Sequence, residues 1–187
     1  MKWPKDWGNK TLLMGIVNIT PDSFSDGGLF LEPKDALLKA TELIKNGAHV
    51  IDLGAQSTRP GAKEVGAKEE IRRLLPALKL IRDNHPNLII SVDTFLSSVA
   101  KKALDSGANW INDVTGGRRD PEMLSIVSDA KCPYIIMHSR GNSNSMDRLI
   151  SYQSVVHDVY NELESLTNAA IKEGVDPSNI IWDPGIG

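Results

Sequence analysis

The 187-residue chain has a single cysteine, Cys132. One thiol excludes an intramolecular disulfide and any cysteine-rich metal centre. Cys132 precedes Pro133 at the head of an apolar run, which predicts a buried, inert thiol. Long apolar runs are missing as well: no stretch approaches the ~20 residues that a membrane span needs. There is no basic run of the kind a nucleic-acid binder carries, and the formal net charge is -3. The opening MKWPKDWGNK has neither the apolar centre of a signal peptide nor the Arg/Ser richness of a transit peptide. These absences predict a cytoplasmic protein, without nucleic acid and without a membrane. Hydrophobic residues make up 41% of the chain, enough for one domain over residues 1–187 with a real core.

What is present is a series of short apolar runs alternating with helical patterns. The runs lie at 11–19, 50–54, 88–94, 110–114, 134–138 and 180–183. They are rich in Ile and Val and nearly continuous, as strands buried on both faces of a parallel sheet are. Apolar residues at three- and four-residue spacing predict helices over 33–46, 68–84, 97–106, 121–130 and 151–173. Pro76 predicts a kink or a second helix start within 68–84. Asp120 and Pro121 read as an N-cap and a first helical residue. NGAHVIDLG at 46–54 echoes SGANWINDV at 106–114, so βα units repeat and the class is α/β. The polar NSNS of 142–145 reads as a mobile loop.

Polar groups follow almost every strand: Asn18, Asp52, Asp93, Asn112 with Asp113, His138 and Asp183. An open doubly wound sheet gathers its chemistry at one switch point, whereas a TIM (β/α)8 barrel draws on nearly every strand end. The distribution favours the barrel. About six βα units are legible where a barrel has eight, and barrels run to about 250 residues. The expectation is therefore an N-terminal portion of a longer barrel protein, its last strand running into the glycine-rich DPGIG.

The stretch MGIVNITPDSFSDGG at 14–28 runs from a strand into a loop of amide, carboxylate and glycine. Such a loop suits a metal, a phosphate-bound cation or a heterocycle edge, though an ordinary solvated βα loop reads similarly. The next loop holds Ser57, Thr58 and Arg59 before Pro60 and Gly61. Arginine offers a fork of donors suited to phosphate, with hydroxyls beside it. Carboxylates and amides converging at a barrel mouth would grip a nitrogen heterocycle. They suit general base work less, since no histidine or lysine pairs with them. The four histidines lack metal-ligand spacing, so zinc is not expected.

Two long segments, GIVNITPDSFSDGG at 15–28 and IDLGAQSTRPGA at 51–62, closely resemble the dihydropteroate synthase family. SVDTF, INDVTGG and DPGIG follow in the family's order, so the resemblance covers essentially the whole chain. It implies a TIM barrel. It also implies condensation of 6-hydroxymethyl-7,8-dihydropterin pyrophosphate with p-aminobenzoate, with Mg²⁺, in folate biosynthesis. By position Asn18 resembles the family's residue at the Mg²⁺–pyrophosphate site. Asp93, Asn112 and Asp183 resemble its pterin-gripping residues, and Met137 would line the pterin pocket. Thr58 and Arg59, with Ser57 beside them, fall in the second loop, near pterin and pyrophosphate. Phe24 and Pro60 fall where the family encloses p-aminobenzoate, the site that sulfonamides mimic. The resemblance implies catalytic parts for Asn18, Arg59 and Asp93. The family's late Lys-Ser and Arg–His segments are missing from these residues. Its homodimer surface lies largely on late helices, so the chain alone is expected to be inactive or nearly so. Two other readings share the barrel: a pterin-dependent corrinoid methyltransferase domain and a non-catalytic pterin-binding paralogue. TPDSFSDGG and STRPG argue against the first, since a methyl carrier needs no pyrophosphate loop.

Overall fold

Six parallel strands pair in strict chain order: β1 (Met14–Asn18), β2 (Val50–Gly54), β3 (Ile89–Asp93), β4 (Trp110–Asp113), β5 (Tyr134–Met137) and β6 (Ile180–Asp183). The structure, a computed structural model, describes residues 3–20, 32–56, 64–141 and 151–186. Among the described residues five α-helices connect the strands: α1 (Pro33–Lys45), α2 (Ala67–Asn84), α3 (Ser97–Asp105), α4 (Glu122–Ala130) and α5 (Val155–Lys172). A parallel pair needs a crossover, and each crossover among the described residues is helical.

The helices and one face of the sheet share a single core. Ile51, Leu53, Ile90, Val92, Ile111, Tyr134 and Ile136 meet Ala40, Leu74, Leu78, Ile81, Val99, Met123, Val127 and Leu163 there. Each fully buried Leu or Ile contributes about 1.5–3 kcal/mol. The opposite face carries a smaller cluster of Val50, Ile89, Trp110 and Ile135, with Met14 and Ile181 against it. Trp3 and Trp7 stack there at 4.6 Å, and each meets Trp110 edge-on at 5.5 Å. Sequential order with the helices sharing one core is the winding of a (β/α)8 barrel, of which this chain supplies five βα units and a sixth strand. A doubly wound sheet would reverse its strand order.

Strand spans follow the sequence reading, trimmed where the backbone leaves the ladder. Two expectations need correction. Pro76 starts no second helix: α2 runs through it, held by Leu74, Ala77, Leu78 and Ile81 buried against the sheet. The last helix begins at Val155, not 151, because Ser154 is extended at φ -147° and ψ 108°. Asp120 does more than a single cap. Its Oδ1 accepts from Glu122 N at the start of α4 (3.3 Å), and its Oδ2 accepts from Ser97 N at the start of α3 (2.8 Å). Cys132 is buried beside Val127, as expected of an inert thiol. The NSNS stretch lies outside the described residues. No helix among the described residues is long and apolar enough to cross a membrane.

Candidate active site at the strand ends

All six strands run the same way, so their C-terminal ends share one rim. Side chains alternate between faces along a strand. The helix-side core takes Val17, Leu53, Val92, Ile111 and Ile136, so the residues between them face the inside of the curve. Register then aligns Asn18, Gly54, Asp93 and Asn112 in one row. Below it lies Ile16, Asp52, Ser91 and Trp110, and below that the apolar Met14, Val50 and Ile89. Met137 pairs with Asp183 at the other side of the rim. Asn18, Asp93, Asn112, Met137 and Asp183, five residues singled out from sequence, thus occupy one surface above an apolar floor.

Two glycines make this surface possible. A Cβ on Gly54 would stand 3.0 Å from Asn18 Oδ1 and 3.5 Å from Asp93 Oδ2. Its bare backbone lets those side chains lean toward one another across β2. Gly185 has φ +69°, and a Cβ there would collide with the His138 carbonyl oxygen. Only glycine fits that turn. Its N–H donates to Asp183 Oδ1 (2.8 Å), which fixes the carboxylate at the end of β6.

Polar groups in the two rows are incompletely satisfied. Asn112 Nδ2 donates to Asp52 Oδ2 at 3.1 Å. Asp52 Oδ1, Asn112 Oδ1 and Ser91 Oγ are buried with no hydrogen-bond partner. An unpaired buried polar group costs about 1–3 kcal/mol, so such a cluster is stabilised by a polar ligand. Burial pushes the Asp52 carboxyl up; the nearby Ser91 hydroxyl, close but outside good hydrogen-bond geometry, and the Asn112 amide pull it part of the way down. Asp93 is held well above the ordinary carboxylate range, first by desolvation and then by the charges of Asp52, Glu70 and Asp113. The surface offers carbonyl and carboxyl acceptors, an amide donor and a hydroxyl, the set that reads the edge of a flat nitrogen heterocycle.

Asp113 and His138, grouped with the strand-end polar residues from sequence, do not belong to this surface. Each is one residue past an inward position and therefore faces the helices. Asp113 accepts from Thr115 N (2.8 Å), Thr115 Oγ1 (2.7 Å), Gly117 N (2.8 Å) and the Tyr134 hydroxyl (2.8 Å). His138 Nε2 lies 3.1 Å from Glu162 Oε2 on α5. Asp113 fixes the turn after β4, and His138 meets α5. The stem of the second loop is closed by Gln56, whose Oε1 accepts from Val65 N at 2.9 Å. Ser57, Thr58, Arg59 and Pro60 on that loop lie outside the described residues, as does Phe24.

Sequence reasoning noted Asp52 but gave it no site role, and passed over Ser91 and Glu70. Asp52 was detectable as a carboxylate in the middle of the apolar VIDLG. For a metal, the described residues contain no group of three or more His, Cys, Asp or Glu able to hold an ion. Asn18 instead presents an exposed amide at the rim. One hard oxygen ligand of this kind fits Mg²⁺, which is commonly held by one or two protein oxygens together with substrate phosphates and water.

A barrel rim of carboxyl, amide and hydroxyl groups above an apolar floor defines a surface suited to a flat nitrogen heterocycle. Residues 14–187 match the family described as pterin binding enzyme, and the chain belongs to that family. It is 43% identical over 182 residues to a dihydropteroate synthase of Synechocystis sp., covering 97% of this chain and 63% of the relative. The solved dihydropteroate synthase of Yersinia pestis, in a sulfonamide drug complex, superposes with a TM-score of 0.87 at 32% identity, covering 94% of this chain and 63% of that one. The Xanthomonas albilineans dihydropteroate synthase with 7,8-dihydropteroate superposes with a TM-score of 0.81 at 34% identity, covering 96% and 62%. The chain therefore spans a little under two thirds of the length of these relatives.

Proposed function

We propose that the protein condenses 6-hydroxymethyl-7,8-dihydropterin pyrophosphate with p-aminobenzoate, releasing pyrophosphate and forming 7,8-dihydropteroate. The observation that carries this reading is the inward row of Asn18, Asp93 and Asn112 over the unsatisfied Asp52 and Ser91. The relatives and solved neighbours named dihydropteroate synthase support it.

In this reading Asp183, Asn112 and Asp93 hold the pterin by its polar edge, and Met137 lies against the ring. A carboxylate facing an amidine-like edge gains charge-assisted hydrogen bonds. Asn18 supplies an oxygen for Mg²⁺ at the pyrophosphate end. Mg²⁺, when bound, neutralises charge on the leaving pyrophosphate. The carbon–oxygen bond to pyrophosphate breaks and its electron pair leaves with the phosphate. The electron-rich dihydropterin stabilises the methylene carbon until the aryl amine nitrogen bonds to it. The nitrogen then sheds a proton to solvent or pyrophosphate. Arg59, Thr58 and Ser57 serve the pyrophosphate and pterin from the second loop, and Phe24 and Pro60 enclose p-aminobenzoate. This division of labour needs positioning and charge neutralisation more than proton transfer. The same reading makes the full-length protein a homodimer of the cytoplasm.

Calorimetric titration with the pterin pyrophosphate, with and without Mg²⁺, tests the proposal. Saturable, Mg²⁺-dependent binding is expected. A folded protein that binds no pterin pyrophosphate under either condition overturns it.

A further inference from the structure

Asp52 and Asn112 belong to strands that do not pair, since β3 runs between β2 and β4. Their side chains meet across it. Register sets Asp52 beside Ser91, whose small side chain leaves the space over β3 open, and sets Asn112 one row higher, beside Asp93. Asn112 Nδ2 donates to Asp52 Oδ2 at 3.1 Å through that space. The backbone of Asn112 is already fixed: it pairs with β3, and its carbonyl accepts from Thr94 N at 3.0 Å. What remains to be set is the direction of the side-chain amide, whose two ends have opposite polarity. A carboxylate oxygen attracts the NH2 end and repels the carbonyl end. Asp52 therefore turns Nδ2 toward itself and leaves Oδ1 as the other end, and Oδ1 is buried with no hydrogen-bond partner. Asp52 is itself 2% exposed, inside the apolar VIDLG, where a carboxyl adds nothing to packing and is costly to bury.

We propose that Asp52 is a positioning residue that sets specificity: by holding the Asn112 amide one way round, it makes Asn112 an acceptor toward the pterin. This inference rests on the pterin reading of the site. Left to itself, an asparagine at the rim could present either end to a ligand and would read an N–H and a lone pair alike. Tied to Asp52, it presents its oxygen. A ring position that carries an N–H is then bound, and one that carries a lone pair meets another lone pair and is turned away. Such a site discriminates well, because its buried acceptor goes unpaired when the N–H is missing. Asp52 thus acts on the ligand through Asn112, from one row below it.

The test exchanges the two side chains and reads pteroate affinity by calorimetry in the wild type, Asp52→Asn, Asn112→Asp and the double variant. Asp52→Asn can offer Asn112 either an oxygen or an NH2, so the amide is no longer held one way round and affinity should fall about fivefold. Asn112→Asp sets two carboxyls face to face, which cannot both ionise, and should cost about twentyfold. In the double variant the amide at position 52 donates to the carboxylate at position 112, whose second oxygen faces the ligand as an acceptor. Affinity should then return to within about threefold of the wild type, far from the sum of the two losses. A folded double variant that binds no better than Asn112→Asp overturns the role of Asp52 and leaves the pterin reading standing. A folded wild type that binds no pteroate overturns the pterin reading and this inference with it. A second measurement needs no variant. In the wild type, pteroate should move the Asn112 ¹³Cγ resonance downfield as Oδ1 accepts from the ring, while the Nδ2 proton held by Asp52 keeps its shift. A ¹³Cγ resonance that stays in place on saturation overturns the proposal.

Discussion

Asp113 and Asp52 are both buried aspartates on this sheet, and they face opposite sides of it. Asp113 points to the helices and takes hydrogen bonds from Thr115, Gly117 and Tyr134. Asp52 points inward, takes one from Asn112, and keeps Oδ1 buried and unpaired. The first is a finished structural joint, fixing the turn after β4 and tying it to β5. The second is destabilised by its own burial, and that is the signature of a group kept for a ligand. The same contrast separates Asn112 from Asp113 and Met137 from His138, neighbours in sequence that part at the sheet.

The comparison can be broken at several points. The largest effect is expected at the structural joint. Asp113→Asn turns one acceptor oxygen into a donor facing donors, and should cost about 4 kcal/mol in denaturant unfolding. Glu70 comes next. Its carboxyl stands at about 7 in the fold against an ordinary 4.5. A raised acid lends stability that is complete below pH 4.5 and is lost as pH rises through 7. Glu70→Gln should therefore remove about 3 kcal/mol of the wild type's loss of stability between pH 4.5 and 8, read from unfolding curves at each pH. Asp52 and Asp93 are raised as well, so some decline should persist in the variant. Smaller still is Asp183→Asn, at the rim. It should weaken pterin binding about thirtyfold, roughly 2 kcal/mol for a charge-assisted bond, with stability changed by less than about 0.5 kcal/mol. Near-normal pterin affinity in this variant would remove Asp183 from the site.

Much of this was legible in the chain. Strand order and helix placement followed from apolar runs and their spacing, because both-face burial leaves a continuous apolar signature. Asn18, Asp93, Asn112 and Asp183 stood out as polar residues at strand ends. Asp113 and His138 were grouped with them because position along a strand was weighed without its alternation. Counting by two from Asn112 or Met137 puts each on the other face. Glu70 was hidden for a different reason. Beside Glu69 in the run Lys68-Glu69-Glu70 it reads as a solvated face, and only the rotation of the helix shows which glutamate is buried. The loop residues Phe24, Ser57, Thr58, Arg59 and Pro60 were legible as motif alone, since spacing along a loop does not determine where its side chains lie.

The most direct test sets Asp52→Asn beside Asp113→Asn, each measured for both unfolding and pteroate binding. Asp52→Asn keeps an oxygen for Asn112 and removes a desolvated charge. It should be at least as stable as the wild type at pH 8 while binding pteroate more weakly. Asp113→Asn should lose stability while its folded fraction binds pteroate as the wild type does. If Asp52→Asn loses stability and keeps its affinity, the inward carboxyl is structural and the division between the two faces is wrong.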